Sequence, residues 1–153
     1  TDAELAALYQ PILREHGIEV SDETAGRAAG IMKERATFTT DLWNLTSFFF
    51  VAPAEYEEKQ AKKYWKGQNP AILRELRGVL EGIDDFSLEN TERIVHAWIE
   101  EKGYGMGQVM NTLRLALVGA GKGPGMYDVT SFIGKAECLK RIDNLLNNLK
   151  PAE

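Results

Sequence analysis

The clearest helical pattern in the chain lies at residues 105–119, which read GMGQVMNTLRLALVG. The apolar residues recur three or four positions apart, as do residues that share one face of an α-helix. The residues on this face are Met106, Val109, Met110, Leu113 and Leu117. We therefore predict an amphipathic helix that buries one side in a core and ends at the glycines beyond residue 118.

The same spacing continues on both sides of this helix. Ser87 and Gly103 are typical residues for the start and end of the helix that precedes it. No run of alternating apolar and polar residues is long enough to indicate a sheet. The spacing marks helices near residues 5–13, 21–35, 42–48, 72–80 and 94–99, and two short ones at 127–133 and 135–149. The predicted fold class is all-α, with eight to ten helices.

A break in the helical pattern falls at Gly67-Gln-Asn-Pro70. It is typical of a turn followed by an asparagine cap with proline in the first helical turn. We place a subdomain boundary there, which gives a first helical subdomain at residues 1–66 and a second at residues 67–153. The expected architecture is a helical bundle of two packed subdomains.

Length and composition limit the class of protein. The chain has 153 residues, of which 44% are hydrophobic, enough to bury a core. No apolar run approaches the roughly 20 residues that span a bilayer. A single cysteine, Cys138, excludes an internal disulfide and fits a reducing cytoplasm. Because the first residues include neither a start methionine nor a basic leader, we expect an internal piece of a longer protein with an N-terminal partner domain.

Charge is distributed unevenly along the chain. The net charge of −5 argues against a general nucleic-acid coat or a membrane-surface protein. Residues 1–102 hold 12 basic and 19 acidic residues, a balance of −7, whereas residues 103–153 hold 6 and 4, a balance of +2. A phosphate backbone is therefore expected to contact the last third of the chain.

The glycine-rich segment at residues 119–125 invites comparison with phosphate-binding loops. A P-loop requires Ser or Thr after its lysine, but Lys122 is followed by Gly123 and Pro124. The segment also follows a predicted helix, whereas a dinucleotide-binding loop follows a strand. A helix end with a flexible turn explains it better, although nucleotide binding stays a third hypothesis.

Few residues suggest chemistry. His16 and His96 lie 80 positions apart without the neighbours that metal ligation requires, and Cys138 sits in an apolar helical pattern typical of a buried thiol. We expect no catalytic residue and no metal site. Arg114 differs, because it lies between two leucines near a helix end. Its planar fork could contact a base edge or a phosphate, or it could pair with a carboxylate to join two helices.

Three successive segments carry a resemblance to a known family. They are Gly105 to Gly119, then Gly123-Pro-Gly-Met-Tyr-Asp128, then Ile133-Gly-Lys-Ala-Glu-Cys-Leu-Lys-Arg-Ile142. Their order and spacing resemble the C-terminal anticodon-binding region of bacterial-type glutamyl-tRNA synthetases. Residues 33–36 and 41–50 resemble the helical subdomain that precedes it, so the resemblance covers essentially the whole chain.

The resemblance implies a helical cage that receives an anticodon loop and reads splayed bases on their edges. Arg114 would be the main anticodon-reading residue, with Asn111 one helical turn before it. Gly123 stands where some relatives have a hydroxyl residue, so only its backbone would contribute. The RNA-binding residues implied in this way are Arg114, Asn111, Gly123, Pro124, Met126 and, as a candidate discriminator of the third anticodon base, Arg35.

The resemblance also implies a parent enzyme, a glutamate–tRNA ligase that uses ATP and magnesium in a catalytic domain outside this chain. The fragment itself would need no cofactor and would not be catalytic. Its partners would be the anticodon loop of tRNA(Glu) and the N-terminal catalytic domain. No membrane contact is expected, and the protein is expected to be a cytoplasmic monomer. A helical protein-interaction domain is the main alternative, because phosphate would be repelled by the acidic first two-thirds.

Overall fold

The structure is a computed structural model, and it describes residues 2–32, 46–121 and 123–151. Seven α-helices and one 3₁₀ helix form within these residues, and no strand does. The helices are α1 (Asp2–Glu15), α2 (Asp22–Met32), the 3₁₀ helix η1 (Ser47–Phe49), α3 (Glu58–Tyr64), α4 (Asn69–Glu81), α5 (Leu88–Lys102), α6 (Met106–Leu117) and α7 (Met126–Asn148). The predicted all-α fold is confirmed. In the part of the chain described, no helix is both long and apolar enough to cross a membrane.

The described chain forms two compact units, residues 1–51 and 52–153. In the first unit α1 packs against α2. Three alanines of α2, at positions 25, 28 and 29, are fully buried, which allows the two helices to approach closely. Gln10 of α1 donates to the carbonyl oxygen of Val20 and to a carboxylate oxygen of Asp22, both at 2.9 Å. These bonds fix the connection between the helices.

The second unit is organised around α7, which packs against α4, α5 and α6. The spacing of apolar residues on these helices predicted which side faces inward. The buried residues include Ile72, Leu73, Leu76 and Leu80 of α4, Val95 and Ile99 of α5, Val109, Leu113 and Leu117 of α6, and Cys138, Ile142 and Leu145 of α7. The predicted face of α6 is therefore confirmed at Val109, Leu113 and Leu117, whereas Met110 is half-buried and Met106, the first residue of the helix, is 41% exposed.

Helix ends follow the predicted capping residues at most positions. Ser87 accepts a hydrogen bond from the backbone N–H of Asn90 at 3.4 Å, and Gly103 ends α5 in the left-handed region with φ of 72°. Gly134 takes φ of 85° and ψ of 165° and divides α7 into two parts, as the prediction of two short helices requires. At Ser87, Gly103 and Gly134 the local sequence therefore predicted correctly where a helix begins or ends.

The prediction of an asparagine cap at Asn69 is wrong. Asn69 is the first residue of α4, and Gln68 precedes it without capping through its side chain. The Asn69 amide instead donates to the Tyr64 carbonyl oxygen at 2.5 Å, and its oxygen accepts from the Gln108 side chain at 2.5 Å. Tertiary partners therefore use the groups that capping would have required.

Residues 52–66 associate with the helices that follow them. The backbone N–H of Glu57 donates to the carbonyl oxygen of Gly119 at 2.7 Å, and α3 packs against α6. A compact unit of the fold need not coincide with a subdomain that has its own function. The proposed division into anticodon-binding subdomains at residues 1–66 and 67–153 therefore stays a prediction.

Candidate functional site

The candidate site begins on the less buried side of α6. Gly107 is exposed there, while Asn111 and Arg114 are half-buried, and the opposite side of the helix is in the core. Positions three and four apart lie on the same side of a helix. Asn111 and Arg114 are therefore neighbours on one surface, as the spacing predicted.

Asn111 is held by its own helix. Its side-chain Nδ2 donates to the carbonyl oxygen of Gly107 at 2.8 Å. A Cβ on Gly107 would lie 3.9 Å from the same nitrogen, an ordinary van der Waals distance, so the bond does not require glycine at this position. An asparagine amide has two donor hydrogens and an acceptor oxygen, so one internal bond leaves capacity for a ligand.

Arg114 lies in the last turn of α6. Its side chain is half-buried, and the Nη1 atom is buried. Its carbonyl oxygen accepts from the backbone N–H groups of Val118 at 2.8 Å and Gly119 at 3.2 Å. The backbone of the residue predicted to read bases is therefore bonded directly to the start of the glycine turn.

Two parts of the chain outside α6 hold its C-terminal end. Arg141 of α7 donates from Nη1 to the carbonyl oxygen of Leu117 at 2.9 Å, and Glu57 binds the carbonyl oxygen of Gly119. Sequence reasoning missed Arg141. The signal was present, because Arg141 follows Cys138 by three positions and precedes Leu145 by four, which places an arginine on the apolar face of its helix.

The glycine turn packs against residues 53–60. A Cβ on Gly119, whose φ is 80°, would lie 2.7 Å from Pro53 and 2.9 Å from the carbonyl oxygen of Glu55. A Cβ on Gly121 would lie 2.6 Å from the side chain of Gln60. Protein atoms therefore occupy the space at both glycines. This packing argues against nucleotide binding, since a phosphate cradle leaves that space to its ligand.

The predicted contact residues after the turn differ in exposure. Gly123 is half-buried with φ of 140°, a conformation that favours glycine, whereas Pro124 is buried. Met126 begins α7 and is only 4% exposed. The accessible backbone at Gly123 fits the predicted role better than the two buried side chains do. Arg35, the remaining predicted site residue, lies outside the described residues.

Several positive charges of the last third contribute to the fold. Lys135 donates to the carbonyl oxygens of Glu81 at 3.2 Å and Ile83 at 2.8 Å, next to the end of α4. Arg141 is only 1% exposed and pairs with Glu137 at 2.9 Å. Among the described basic residues of positions 103–153, at least Lys135 and Arg141 therefore bind other parts of the protein, which leaves less charge for phosphate than the sequence balance suggested.

The two histidines and the cysteine were the residues considered for catalysis or metal binding. His16 is exposed after α1, and the ring of His96 contacts the ring of Tyr127 edge to face at 5.4 Å. Cys138 is completely buried, and burial raises the pKa of its thiol to about 12. Among the described residues, no three His, Cys, Asp or Glu side chains group so as to hold a metal ion.

Comparison with known proteins gives the class of protein. Residues 4–146 match the sequence model of a family described as "Anticodon binding domain". This match covers most of the chain, and the chain belongs to that family. Helix α6, which carries Asn111 and Arg114, and the glycine turn after it both lie within the matched region.

Individual relatives indicate which kind of anticodon-binding protein the chain resembles. It is 51% identical to a glutamate–tRNA ligase of Phocaeicola vulgatus over 98% of this chain and 30% of that protein. It is 49% identical to the glutamate–tRNA ligase of Bacteroides fragilis over the same shares. The resemblance stated from the sequence is thereby confirmed. The chain spans about 30% of the length of these curated relatives.

Two solved structures to which the chain is similar are also glutamate–tRNA ligases. A glutamate–tRNA ligase of Elizabethkingia meningosepticum, solved with its amino acid, superposes with a TM-score of 0.91 at 40% identity, over 97% of this chain and 30% of that one. The glutamate–tRNA synthetase of Elizabethkingia anophelis gives a TM-score of 0.85 at 39% identity, over 96% and 28%.

Proposed function

We propose that this chain binds the anticodon loop of tRNA(Glu) as the anticodon-recognition part of a longer glutamate–tRNA ligase. The observation that supports this most is the family match over residues 4–146, together with the similarity of the chain to glutamate–tRNA ligases. The placement of Arg114 and Asn111 on one surface next to the glycine turn is consistent with base reading.

In this proposal Arg114 is the principal base contact. A guanidinium presents several donors in a fixed plane and can bind a base edge with two hydrogen bonds. Asn111 adds an amide that can donate and accept, and the backbone of Gly123 adds a peptide group at the turn. The buried side chains of Pro124 and Met126 support this surface. Arg35 is proposed to distinguish the third anticodon base.

The activity of the whole protein is also a proposal. The parent would attach glutamate to tRNA with ATP and magnesium in a catalytic domain beyond this chain, and we propose a cytoplasmic monomer. The glycine turn does not fit an ATP site, because Pro53 and Gln60 occupy the space beside it. In this proposal the chain contributes tRNA binding and no chemical step.

The test is a titration of a tRNA(Glu) anticodon stem-loop into the 153-residue chain at low salt. Wild type is compared with Arg114→Ala and with Arg74→Ala, which removes an equal charge from an exposed position on α4. We expect Arg114→Ala to weaken binding by about 1–3 kcal/mol, the range of one bidentate base contact. Arg74→Ala should have a much smaller effect.

A scrambled-loop RNA of the same length completes the experiment. Wild type should prefer the natural loop, and Arg114→Ala should lose most of that preference. Equal binding of both RNAs by wild type, or equal losses in the two variants, would contradict the base-reading role of Arg114. Absence of any RNA binding would favour the helical protein-interaction domain instead.

A further inference from the structure

We propose that Arg141 and Glu137 form a positioning pair that sets the direction of the C-terminal end of α6 and so aligns Arg114 and the glycine turn for base reading. This inference rests on the proposed function. Neither residue would touch RNA, since Arg141 is only 1% exposed and acts from within the core.

The geometry of the pair supplies the first argument. Arg141 donates from Nη1 to the carbonyl oxygen of Leu117 at 2.9 Å and from Nε to the carboxylate of Glu137 at 2.9 Å. Glu137 lies one turn before Arg141 on the same helix and is about one-third exposed. The carboxylate of Glu137 therefore fixes the plane of the Arg141 guanidinium, and the guanidinium fixes the position of the Leu117 carbonyl group.

The end of a helix is where such a bond has most effect. The last carbonyl groups of an α-helix have no partner within the helix and need one elsewhere. Those of Arg114 and Leu115 are bound by backbone N–H groups of the following turn, whereas that of Leu117 is bound by Arg141. A side chain of α7 thus determines how the chain leaves α6, one turn after Arg114.

The chemistry of the site indicates a purpose beyond filling space. Cys138, Ile142 and Leu145 surround Arg141 on its helix face, and all are fully buried. Apolar residues would stabilise such a face at least as well as a buried ion pair, which carries a large desolvation cost. What an apolar residue lacks is direction, because only a planar donor holds a carbonyl at a fixed distance and angle.

Three variants test the inference in the 153-residue chain. Arg141→Lys keeps the charge but cannot bond Glu137 and Leu117 in the same plane, and Glu137→Gln keeps the shape but weakens the hold on the guanidinium. Arg77→Ala is the control, because Arg77 of α4 binds Asp143 of α7 at 2.6 Å and so joins α7 to α4 and not to α6. Stem-loop affinity is measured well below each melting temperature, together with hydrogen exchange of the Val118 and Gly119 amides.

We expect Arg141→Lys to weaken binding of the natural loop about tenfold and Glu137→Gln about threefold, with faster amide exchange at Val118 and Gly119 in both. Arg77→Ala should lower the melting temperature but leave affinity within about twofold. If Arg141→Lys lowers the melting temperature yet binds as wild type does, the pair is structural only and the inference is overturned. If wild type itself does not distinguish natural from scrambled loops, the proposed function fails and the inference falls with it.

Discussion

The indole nitrogen of Trp65 donates a hydrogen bond to the carbonyl oxygen of Leu149 at 2.8 Å, which joins residues 84 positions apart in the chain. Trp65 is 1% exposed, just after α3, and Leu149 follows the last turn of α7. The bond therefore fastens the beginning of the second unit to the end of its longest helix.

Replacing Trp65 with phenylalanine should destabilise the second unit by about 2–3 kcal/mol. The variant loses ring volume in the core and leaves a part-buried carbonyl group without its donor. Chemical denaturation followed by circular dichroism measures the effect. Trp98→Phe is the control, because Trp98 is only half-buried, and a loss as large as that of Trp65→Phe would contradict the importance of the bond.

The glycine turn offers a matched pair of substitutions. Gly119→Ala should cost about 2–4 kcal/mol, because the new Cβ meets Pro53 and a backbone oxygen and the residue has positive φ. Gly121→Ala meets only the flexible side chain of Gln60, so its cost should stay below about 1 kcal/mol. Thermal unfolding of both variants checks this, and equal costs would show that the approach of residues 53–55 is unimportant.

Stability should fall at alkaline pH, starting near pH 9. Burial raises the pKa of Cys138 from 9.0 to about 12, so the folded state keeps a proton that the unfolded state loses. Stability is full below pH 9 and declines as pH rises toward 12, by up to about 1.4 kcal/mol per pH unit. Burial also raises the pKa of Tyr127, Tyr9 and Tyr56, and these groups add to the decline as pH approaches and passes 10, their ordinary value.

Urea unfolding of wild type and Cys138→Ala at pH 8, 9 and 10 measures this decline. Tyrosines begin to titrate in the same pH range, so the difference between the two proteins gives the contribution of the thiol. Wild type should lose stability there, whereas Cys138→Ala, already weaker at pH 8 through its cavity, should lose less on going to pH 10. Parallel losses in the two proteins would exclude the thiol as the cause.

Salt dependence should separate the RNA-binding proposal from the protein-interaction alternative. Each phosphate neutralised by the chain should add about −0.7 to the slope of log K against log salt for a single-stranded loop. Because Lys135 and Arg141 are engaged in the fold, we expect a slope that corresponds to a few phosphates. Stem-loop titrations between 50 and 300 mM salt measure it, and a slope near zero would count against a phosphate-contacting surface.

Sequence was informative where structure depends on near neighbours. The inward face of α6, the cap at Ser87 and the division of α7 at Gly134 all follow from residues a few positions apart. The role of Asn69 was misjudged because its hydrogen-bond partner Gln108 lies 39 positions away. No capping rule takes account of such a partner.

The candidate site shows the same limit. Spacing alone placed Asn111 and Arg114 on one surface of α6, because both lie on one helix. Tertiary contacts determined that Met126 is buried and that Pro53 approaches Gly119. Burial of Arg141 was readable from its helix face, but its bond to Leu117 was not, since the two residues are 24 positions apart.

The break in α7 requires a residue that can adopt positive φ, but it does not require a small residue. Gly134 has φ of 85° and ψ of 165°, and a Cβ placed on it would meet no atom within 4 Å. These angles are close to the mirror image of an extended L-residue, so L-alanine is strained there although there is room for it. Gly134→Ala should therefore cost about 1–3 kcal/mol through backbone strain alone, with no contribution from a steric clash.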